Sequence, residues 1–194
     1  RILEPKISVT LGRNARDQPQ FGIDTAWLEP NYSSLFNPYA AVGADWGITD
    51  HTIAIGFDHR WLKRSSGHQL GRVSVGQSYQ APAALTDRDR RRGRQTNLQA
   101  ELTTTDAITG RIDLSYRHQL KAIASGFLSL SYRPSESTLI SVQHRYRSAE
   151  YLFGQADLAA ASSVSQIALQ APIGQGFKVR GLWGRNNGAS KDIE

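Results

Sequence analysis

Two amino acids are missing from this 194-residue sequence: cysteine and methionine. The absence of cysteine excludes disulfides and thiolate chemistry within the chain. Because the first residue is Arg1 and not methionine, we expect the chain to be an internal segment of a longer protein, with any targeting signal outside it. No hydrophobic run approaches the ~20 residues that a transmembrane helix needs. This excludes helical spans but leaves membrane barrels open, because barrel strands give a much weaker hydropathy signal.

The charge of the chain is unbalanced, since 23 lysines and arginines against 17 acidic residues give a net charge of +6. A basic protein can bind nucleic acid, anionic lipid or acidic glycolipid. The densest basic stretch, Asp87 to Arg94, lies in a segment that we assign as a basic loop over residues 81–95. No aromatic side chains alternate with its arginines, as they do in single-strand nucleic-acid sites. We therefore predict a solvated loop and no nucleic-acid partner.

Motifs that carry catalysis are also missing. The sequence has no G-x-S-x-G nucleophile elbow, no Walker A loop and no H-E-x-x-H pair. His51 and His59 flank one predicted strand, but they stand at its opposite ends, too far apart for one metal ion. We therefore expect no enzymatic activity, no cofactor and no metal site.

What the sequence does contain is a repeated alternation of apolar and polar residues. In the stretch 126–147, Leu128 and Leu130 share one face with Ile140 and Val142, and polar residues occupy the other face. A period of two is the pattern of β-strands, and the polar turn between the two halves predicts an antiparallel hairpin. The alternation recurs in about nine segments, each near the ~10 residues of a tilted membrane strand. The segments are 3–11, 52–61, 72–79, 97–102, 111–117, 126–133, 139–147, 166–171 and 177–183.

The connections between these segments alternate between short and long. Short turns are predicted at 65–67, 106–110, 134–138 and 172–176, and long connections at 13–49, 81–95 and 148–163. Residues 118–122 are the exception, a short connection in a long-loop position. Outer-membrane barrels have short periplasmic turns and longer outer loops. We therefore predict an all-β fold, an antiparallel up-and-down transmembrane β-barrel, of which residues 1–194 form a single partial segment.

The connection 13–49 is far longer than ordinary loops, which is typical of loops with a function of their own. It contains apolar residues spread along its length, so we expect it to pack as an outer or luminal loop, in the role of a plug or lid. These apolar residues are Phe21, Trp27, Leu28, Tyr32, Leu35 and Phe36.

The two faces of the predicted strands distinguish a membrane barrel from a water-soluble sandwich, because a barrel turns its apolar face to lipid and its polar face to a wet lumen. The polar face is rich in Arg, Lys, Asp, Ser and Gln, which favours the barrel. Six aromatic residues close predicted strands, and we expect all of them near one edge of the apolar band, as a girdle at the membrane interface: Trp61, Tyr79, Tyr116, Tyr132, Tyr146 and Trp183. The basic residues predicted to line the lumen, where they could bind phosphate groups of a cargo, are Arg60, Arg72, Arg111, Arg117, Arg133, Arg145, Lys178 and Arg180.

Three motifs and two later stretches occur in the order and spacing of one family. The motifs are Leu3-Glu4-Pro5, then NYSSLF (Asn31-Tyr32-Ser33-Ser34-Leu35-Phe36), then SVGQSY (Ser74-Val75-Gly76-Gln77-Ser78-Tyr79), followed by the stretches 130–134 and 144–151. In these the sequence resembles the LptD family, which assembles lipopolysaccharide in the Gram-negative outer membrane. The resemblance covers nearly the whole chain and corresponds to the second half of the family's barrel. The stretch Asp45-Trp46-Gly47 departs from the family pattern, which has Asp-Arg-Ile there.

The resemblance implies transport rather than catalysis. LptD proteins accept lipopolysaccharide through a periplasmic jelly-roll domain and release it through a seam between the first and last barrel strands, with the lipoprotein LptE inside the lumen. This segment is then expected to supply barrel wall, lumen lining and outer loops in the outer membrane. Its expected partners are lipopolysaccharide as cargo, LptE, and the periplasmic transport bridge, which binds through an N-terminal domain outside the sequence. The open alternatives are another outer-membrane barrel such as a diffusion porin, a soluble basic β-domain, and an outer-membrane hydrolase.

Overall fold

The structure, a computed structural model, describes residues 1–11, 26–27, 31–37, 41–42, 51–81, 93–105, 107–148, 161–174 and 176–187. The described part is almost entirely β-structure, with one short 3₁₀ helix, Ser33–Phe36. Within that part, the structure has no helix of the length and apolarity that a membrane crossing requires. Most of the predicted long connections 13–49, 81–95 and 148–163 lies outside the described residues.

Nine strands form one antiparallel sheet in which each strand pairs with the next strand of the same sheet along the chain. The strands of this sheet are β1 (Ile2–Thr10), β4 (His51–Leu62), β5 (Gln69–Ala81), β6 (Gln95–Thr105), β7 (Ile108–Arg117), β8 (Ala122–Ser135), β9 (Thr138–Arg147), β10 (Ser162–Ile173) and β11 (Phe177–Asn186). A second, minimal sheet pairs β2 (Ala26–Trp27) with β3 (Ala41–Val42) inside the first long connection. The predicted up-and-down antiparallel architecture is confirmed. In the described residues β1 and β11 each have one partner strand, so the sheet is open, as a segment of a larger barrel would be.

Three of the short turns are tighter than the sequence predicted. The strands continue to Thr105 and from Ile108 in the first case, and to Ser135 and from Thr138 in the second. The third, predicted at 172–176, begins only after Ile173, where β10 ends. The predicted turn 134–138 includes Pro134, but this residue lies inside β8, at a register irregularity between Tyr132 and Ser135. An irregular position tolerates proline because it does not require the missing backbone N–H.

The sheet exposes its apolar face and buries polar residues of the opposite face, most of them on β4 to β7. On the apolar face Ile7, Phe57 and Leu130 are 74%, 50% and 55% exposed. On the opposite face Asp58 and Asn97 are fully buried. The buried apolar residues in the described part are few: Tyr32, Leu35, Ala54 and Ala124. A water-soluble domain has the reverse distribution, with apolar side chains inside and charged ones outside.

The aromatic residues on the apolar face lie towards the ends of their strands. Tyr79, Tyr116 and Tyr146 lie near the ends that lead into the later connections 82–94, 118–121 and 148–161. Trp61 and Tyr132 lie near the ends that lead into short turns. The prediction that all these residues lie near one edge is therefore wrong, because the strands that end in Trp61 and Tyr132 run in the opposite direction. The apolar band between the two groups is bordered by aromatic side chains on both sides.

Candidate functional site

Residues 31–37, which we call the strap, lie across the polar face of the sheet. Their turn is held locally by Asn31 and Ser34: the Ser34 N–H donates to Asn31 Oδ1 at 2.9 Å, and the Asn31 N–H donates to Ser34 Oγ at 2.9 Å. Short polar side chains favour such turns because they bond backbone groups that a short helix leaves unpaired. The reciprocal bonds start the 3₁₀ helix, which presents Tyr32, Leu35 and Phe36 to the sheet.

The strap rests on two glycines that lie opposite each other in the register of β4 and β5, Gly56 and Gly76. A methyl group on Gly56 would lie 2.7 Å from Phe36 Cζ and 2.9 Å from Tyr32 Cε2, and one on Gly76 would lie 2.7 Å from Leu35 Cδ1. These separations are shorter than van der Waals contact, so the rings reach the sheet only because both positions lack a side chain. Two of the sequence motifs, NYSSLF and SVGQSY, are therefore in direct contact.

A network of charged side chains lies beside the two glycines. Asp58 is fully buried and accepts two hydrogen bonds from Arg72, at 2.8 and 2.7 Å, and one from Ser74 at 3.1 Å. Arg60 bridges Asp58, at 3.1 Å, to Glu4 at 3.0 Å. The paired geometry of Arg72 satisfies both carboxylate oxygens, which is what makes a buried carboxylate tolerable.

Tyr32 joins the strap to this network. Its ring is 1% exposed, and Lys6 Nζ and Arg72 Cζ stand 5.8 and 5.9 Å from its centroid, within the range of cation–π attraction. Burial, and then the nearby Asp58 carboxylate, raises the pKa of the Tyr32 hydroxyl, so the phenol stays neutral. On the other side of the strap, the Asn97 amide donates to the carbonyl oxygen of Asn31. The strap is thus attached to β1, β4, β5 and β6.

An open cavity of about 220 Å³ lies between the strap and β7, β8 and β9. Two arginines line it. Arg111 pairs with Asp113 at 2.6 Å, and Arg145 stands 5.5 Å from the ring of Phe127. The other described residues that line it are Asn31, Ser125 and Gly126. A cavity with arginines on its wall is suited to an anionic group or an acidic segment of a partner.

The structure places the predicted luminal cations on the polar face but not in one cluster. Arg60 and Arg72 belong to the Asp58 network, and Arg111 and Arg145 line the cavity. Among the rest, Arg117 is 2% exposed, and Arg133 is exposed beside a short turn. Lys178 and Arg180 lie on the exposed edge strand β11, where Arg180 donates to Gln170 at 3.0 Å.

The motif residues divide between the two faces. Glu4, Gly76 and the strap residues Asn31, Tyr32, Leu35 and Phe36 take part in the polar-face site, whereas Ser33 of the strap is exposed. Leu3, Pro5, Val75, Gln77 and Tyr79 lie on the apolar face.

Sequence reasoning did not single out Asp58, Ser74 or Gly56 as site residues. The alternation along the strand was enough to place Asp58 on the polar face. Its pairing with Arg72, however, depends on which strands are neighbours in the sheet. A glycine on each of two adjacent strands at the same parity, Gly56 and Gly76, is a signal that could have located the strap's contact.

The histidines singled out in the sequence do not form a metal site in the described part of the chain. No group of three or more potential ligands comes together there. His59 packs against Trp61 with ring centroids 4.4 Å apart.

An antiparallel sheet with an apolar outer surface, a charged inner surface and a chain segment fixed to that inner surface defines a class of protein: the wall of an up-and-down β-barrel with internal loops. The sequence matches the family LptD, described as LPS transport system D, over residues 1–175. The chain belongs to the LptD family.

Curated relatives agree with this assignment. The LPS-assembly protein LptD of Haemophilus ducreyi is 24% identical over 166 residues, which cover 78% of this chain and 21% of the relative. The LPS-assembly protein LptD of Actinobacillus pleuropneumoniae serotype 5b is 24% identical over 147 residues, covering 73% of this chain and 19% of the relative. The chain thus spans about a fifth of the length of the relatives that it matches.

The close contact of Gly56 with the strap predicts that a side chain at position 56 would displace the strap. We expect Gly56→Ala to move Tyr32 and Phe36 off the sheet, because two rigid ring carbons would lie within 3.0 Å of the new methyl group. In a Leu35→Cys background, maleimide should then label the otherwise buried position 35 faster. Gly110→Ala is the control, since its methyl group would meet nothing closer than 3.9 Å. Equal labelling rates in the two variants would contradict this packing.

The Asp58 network predicts an unequal effect of two identical substitutions. We expect Asp58→Asn to destabilise the protein by about 2–3 kcal/mol, somewhat less than the ~3–5 of a fully buried pair, because Arg72 and Arg60 keep some contact with water. Asp113→Asn should cost under about 1 kcal/mol. Its partner Arg111 is 44% exposed, against 20% for Arg72. Urea unfolding of the whole protein in detergent would measure both, and a larger loss at Asp113 would refute the ranking.

Proposed function

We propose that the chain forms part of the wall of an outer-membrane barrel that inserts lipopolysaccharide into the outer leaflet. The observation that carries the proposal is the inverted burial of the sheet, with Asp58 and Asn97 buried and Ile7 and Leu130 exposed. Such a sheet is stable where its apolar face meets lipid and its polar face meets a protected aqueous lumen. Family membership and the names of the curated relatives support lipopolysaccharide assembly as the task.

In this proposal the polar face, with the strap and the cavity beside it, belongs to the lumen. Arg111 and Arg145 on the cavity wall, and the other basic residues of the same face, would meet either the phosphates of passing lipopolysaccharide or a luminal partner. The family resemblance suggests the lipoprotein LptE as that partner, and a periplasmic transport bridge connected through a domain outside this chain. The segment itself then has a transport role and no catalytic one.

A diffusion porin is the second candidate for the barrel, and the position of the strap argues against it. A porin needs an open aqueous channel, whereas here residues 31–37 are packed onto the inner face through Tyr32 and Leu35, which are nearly fully buried. An occupied inner face favours a barrel that holds internal segments or a partner.

The transport proposal is tested by depleting the protein in its own cells. We expect newly made lipopolysaccharide to stop reaching the cell surface while other outer-membrane proteins still assemble. Surface labelling of lipopolysaccharide, with an unrelated barrel protein followed as the control, measures this. Undiminished delivery of lipopolysaccharide to the cell surface would refute the proposal. Single-channel conductance would then test whether the protein is a porin.

Lipid contact of the apolar face is tested by two adjacent substitutions on β9. We expect Val142→Arg to destabilise the protein in liposomes by about 2–4 kcal/mol, because it places a charge in the hydrocarbon layer. Gln143→Arg, on the polar face, should change stability by no more than about 0.5 kcal/mol. Urea unfolding in liposomes compares the two. Equal losses would mean that the faces do not meet different solvents.

A further inference from the structure

One of the sequence motifs has polar residues that the luminal site does not use. Gln77 of the SVGQSY motif lies on the apolar face between Val75 and Tyr79. Its register partner Thr96 lies on the same face, and the Gln77 side-chain amide donates to Thr96 Oγ1 at 2.9 Å. Polar side chains on a lipid-facing surface are costly unless they are hydrogen-bonded or stand at the membrane interface.

Arg94 adds a positive charge to this polar group. Its Nη2 donates to Gln77 Oε1 at 3.0 Å, and its side chain is exposed. A guanidinium has five N–H donors, so most of its hydrogen-bonding capacity extends beyond this one contact. Among the described residues no carboxylate forms a salt bridge with Arg94. Within this part of the chain the charge is held in place but not neutralised.

The neighbouring backbone fixes where Arg94 stands. Gly93 has a φ of +125°, and a methyl group there would lie 2.0 Å from the Gln119 side chain. That conformation is open essentially to glycine alone. The carbonyl oxygen of Arg94 then accepts a hydrogen bond from the His118 N–H at 3.0 Å. Gly93 and this backbone hydrogen bond thus hold Arg94 in a defined position beside the sheet.

His118 completes the group. Its Nε2 lies 2.9 Å from Thr96 Oγ1 and 3.4 Å from Gln77 Nε2, and its ring meets Tyr116 edge-on with centroids 5.1 Å apart. Arg94, Gln77, Thr96 and His118 therefore form one connected polar cluster, which we call the rim cluster. It lies level with the tyrosines at the end of the apolar band that adjoins the long connections.

We propose that the rim cluster binds the phosphate of an anionic membrane lipid, with Arg94 as the charged contact and Gln77 as the residue that positions it. The proposal rests on the proposed function, which places the apolar face in lipid and the long connections outside. Apolar strands below the cluster would contact acyl chains, tyrosines would lie at the interface, and the guanidinium would meet the headgroup. Lipopolysaccharide and phosphatidylglycerol both offer the required phosphate.

The test is lipid binding by the whole protein in nonionic detergent, followed by native mass spectrometry. The probes are Kdo₂-lipid A, phosphatidylglycerol, and diacylglycerol as a lipid without phosphate. We expect Arg94→Gln to weaken binding of the phosphate-bearing lipids about fivefold and to leave diacylglycerol unchanged. Arg64→Gln, the same charge change in the exposed turn at the other end of β4 and β5, is the matched control.

Gln77→Glu separates a lipid site from a merely structural cluster. The new carboxylate would hold Arg94 in place but neutralise it, so we expect phosphate-lipid binding to fall as far as in Arg94→Gln while thermal stability is kept. Arg94→Lys should restore part of the binding.

The outcomes also separate the two lipid sources. Loss for both phosphate-bearing lipids supports a general phosphate site, and loss for Kdo₂-lipid A alone identifies lipopolysaccharide as the ligand. Equal affinities in the parent, Arg94→Gln and Arg64→Gln proteins would overturn the inference. The transport proposal would survive that result if depletion still stops surface delivery of lipopolysaccharide.

Discussion

The organisation of this protein depends on the antiparallel hydrogen-bond ladder that joins each strand to the next. A fully paired backbone leaves the side chains to alternate strictly between two faces. The ladder also satisfies the peptide groups without water, which is the condition for a sheet in lipid. Once register is set, residues on one face of a strand lie opposite residues on the same face of its neighbours. Asp58, for example, lies opposite both Glu4 and Ser74.

The polar face uses this alignment to hold a segment of chain that belongs to no strand of the large sheet. Gly56 and Gly76 leave room on the polar face because they have no side chains, and the apolar side chains of the strap fill that room. The Asp58 network beside them orients Arg72 beneath Tyr32, while Asn97 binds the strap from the next strand. The strap therefore combines an apolar contact, which supplies attraction, with directional hydrogen bonds, which fix its position.

The two faces of the sheet also differ in the surroundings that suit them. On the polar face, the strap and the arginines of the cavity form a surface suited to an anionic group or a partner protein. The apolar face has a band bordered by aromatic rings, which is suited to lipid, and the rim cluster adds a positive charge at its border. The motif SVGQSY contributes to both, because successive residues of a strand point to opposite sides. Gly76 receives the strap, and Gln77 holds Arg94.

The alternation of residues was enough to predict the nine strands of the large sheet, their order and the chemistry of each face, because a two-residue period is a local property of the chain. It also assigned the arginines and lysines of the polar face to one side of the sheet, because successive residues of a strand point to opposite faces. It could not determine that Tyr32 lies over Gly56, that Asp58 pairs with Arg72, or that Arg60 and Arg111 belong to separate groups. These contacts join residues far apart in the chain, such as Glu4 and Arg60, and depend on strand register and on the path of a connecting segment. These contacts are visible only in the folded chain, because a periodic pattern does not specify which side chains from distant parts of the sequence come within a few ångströms of each other.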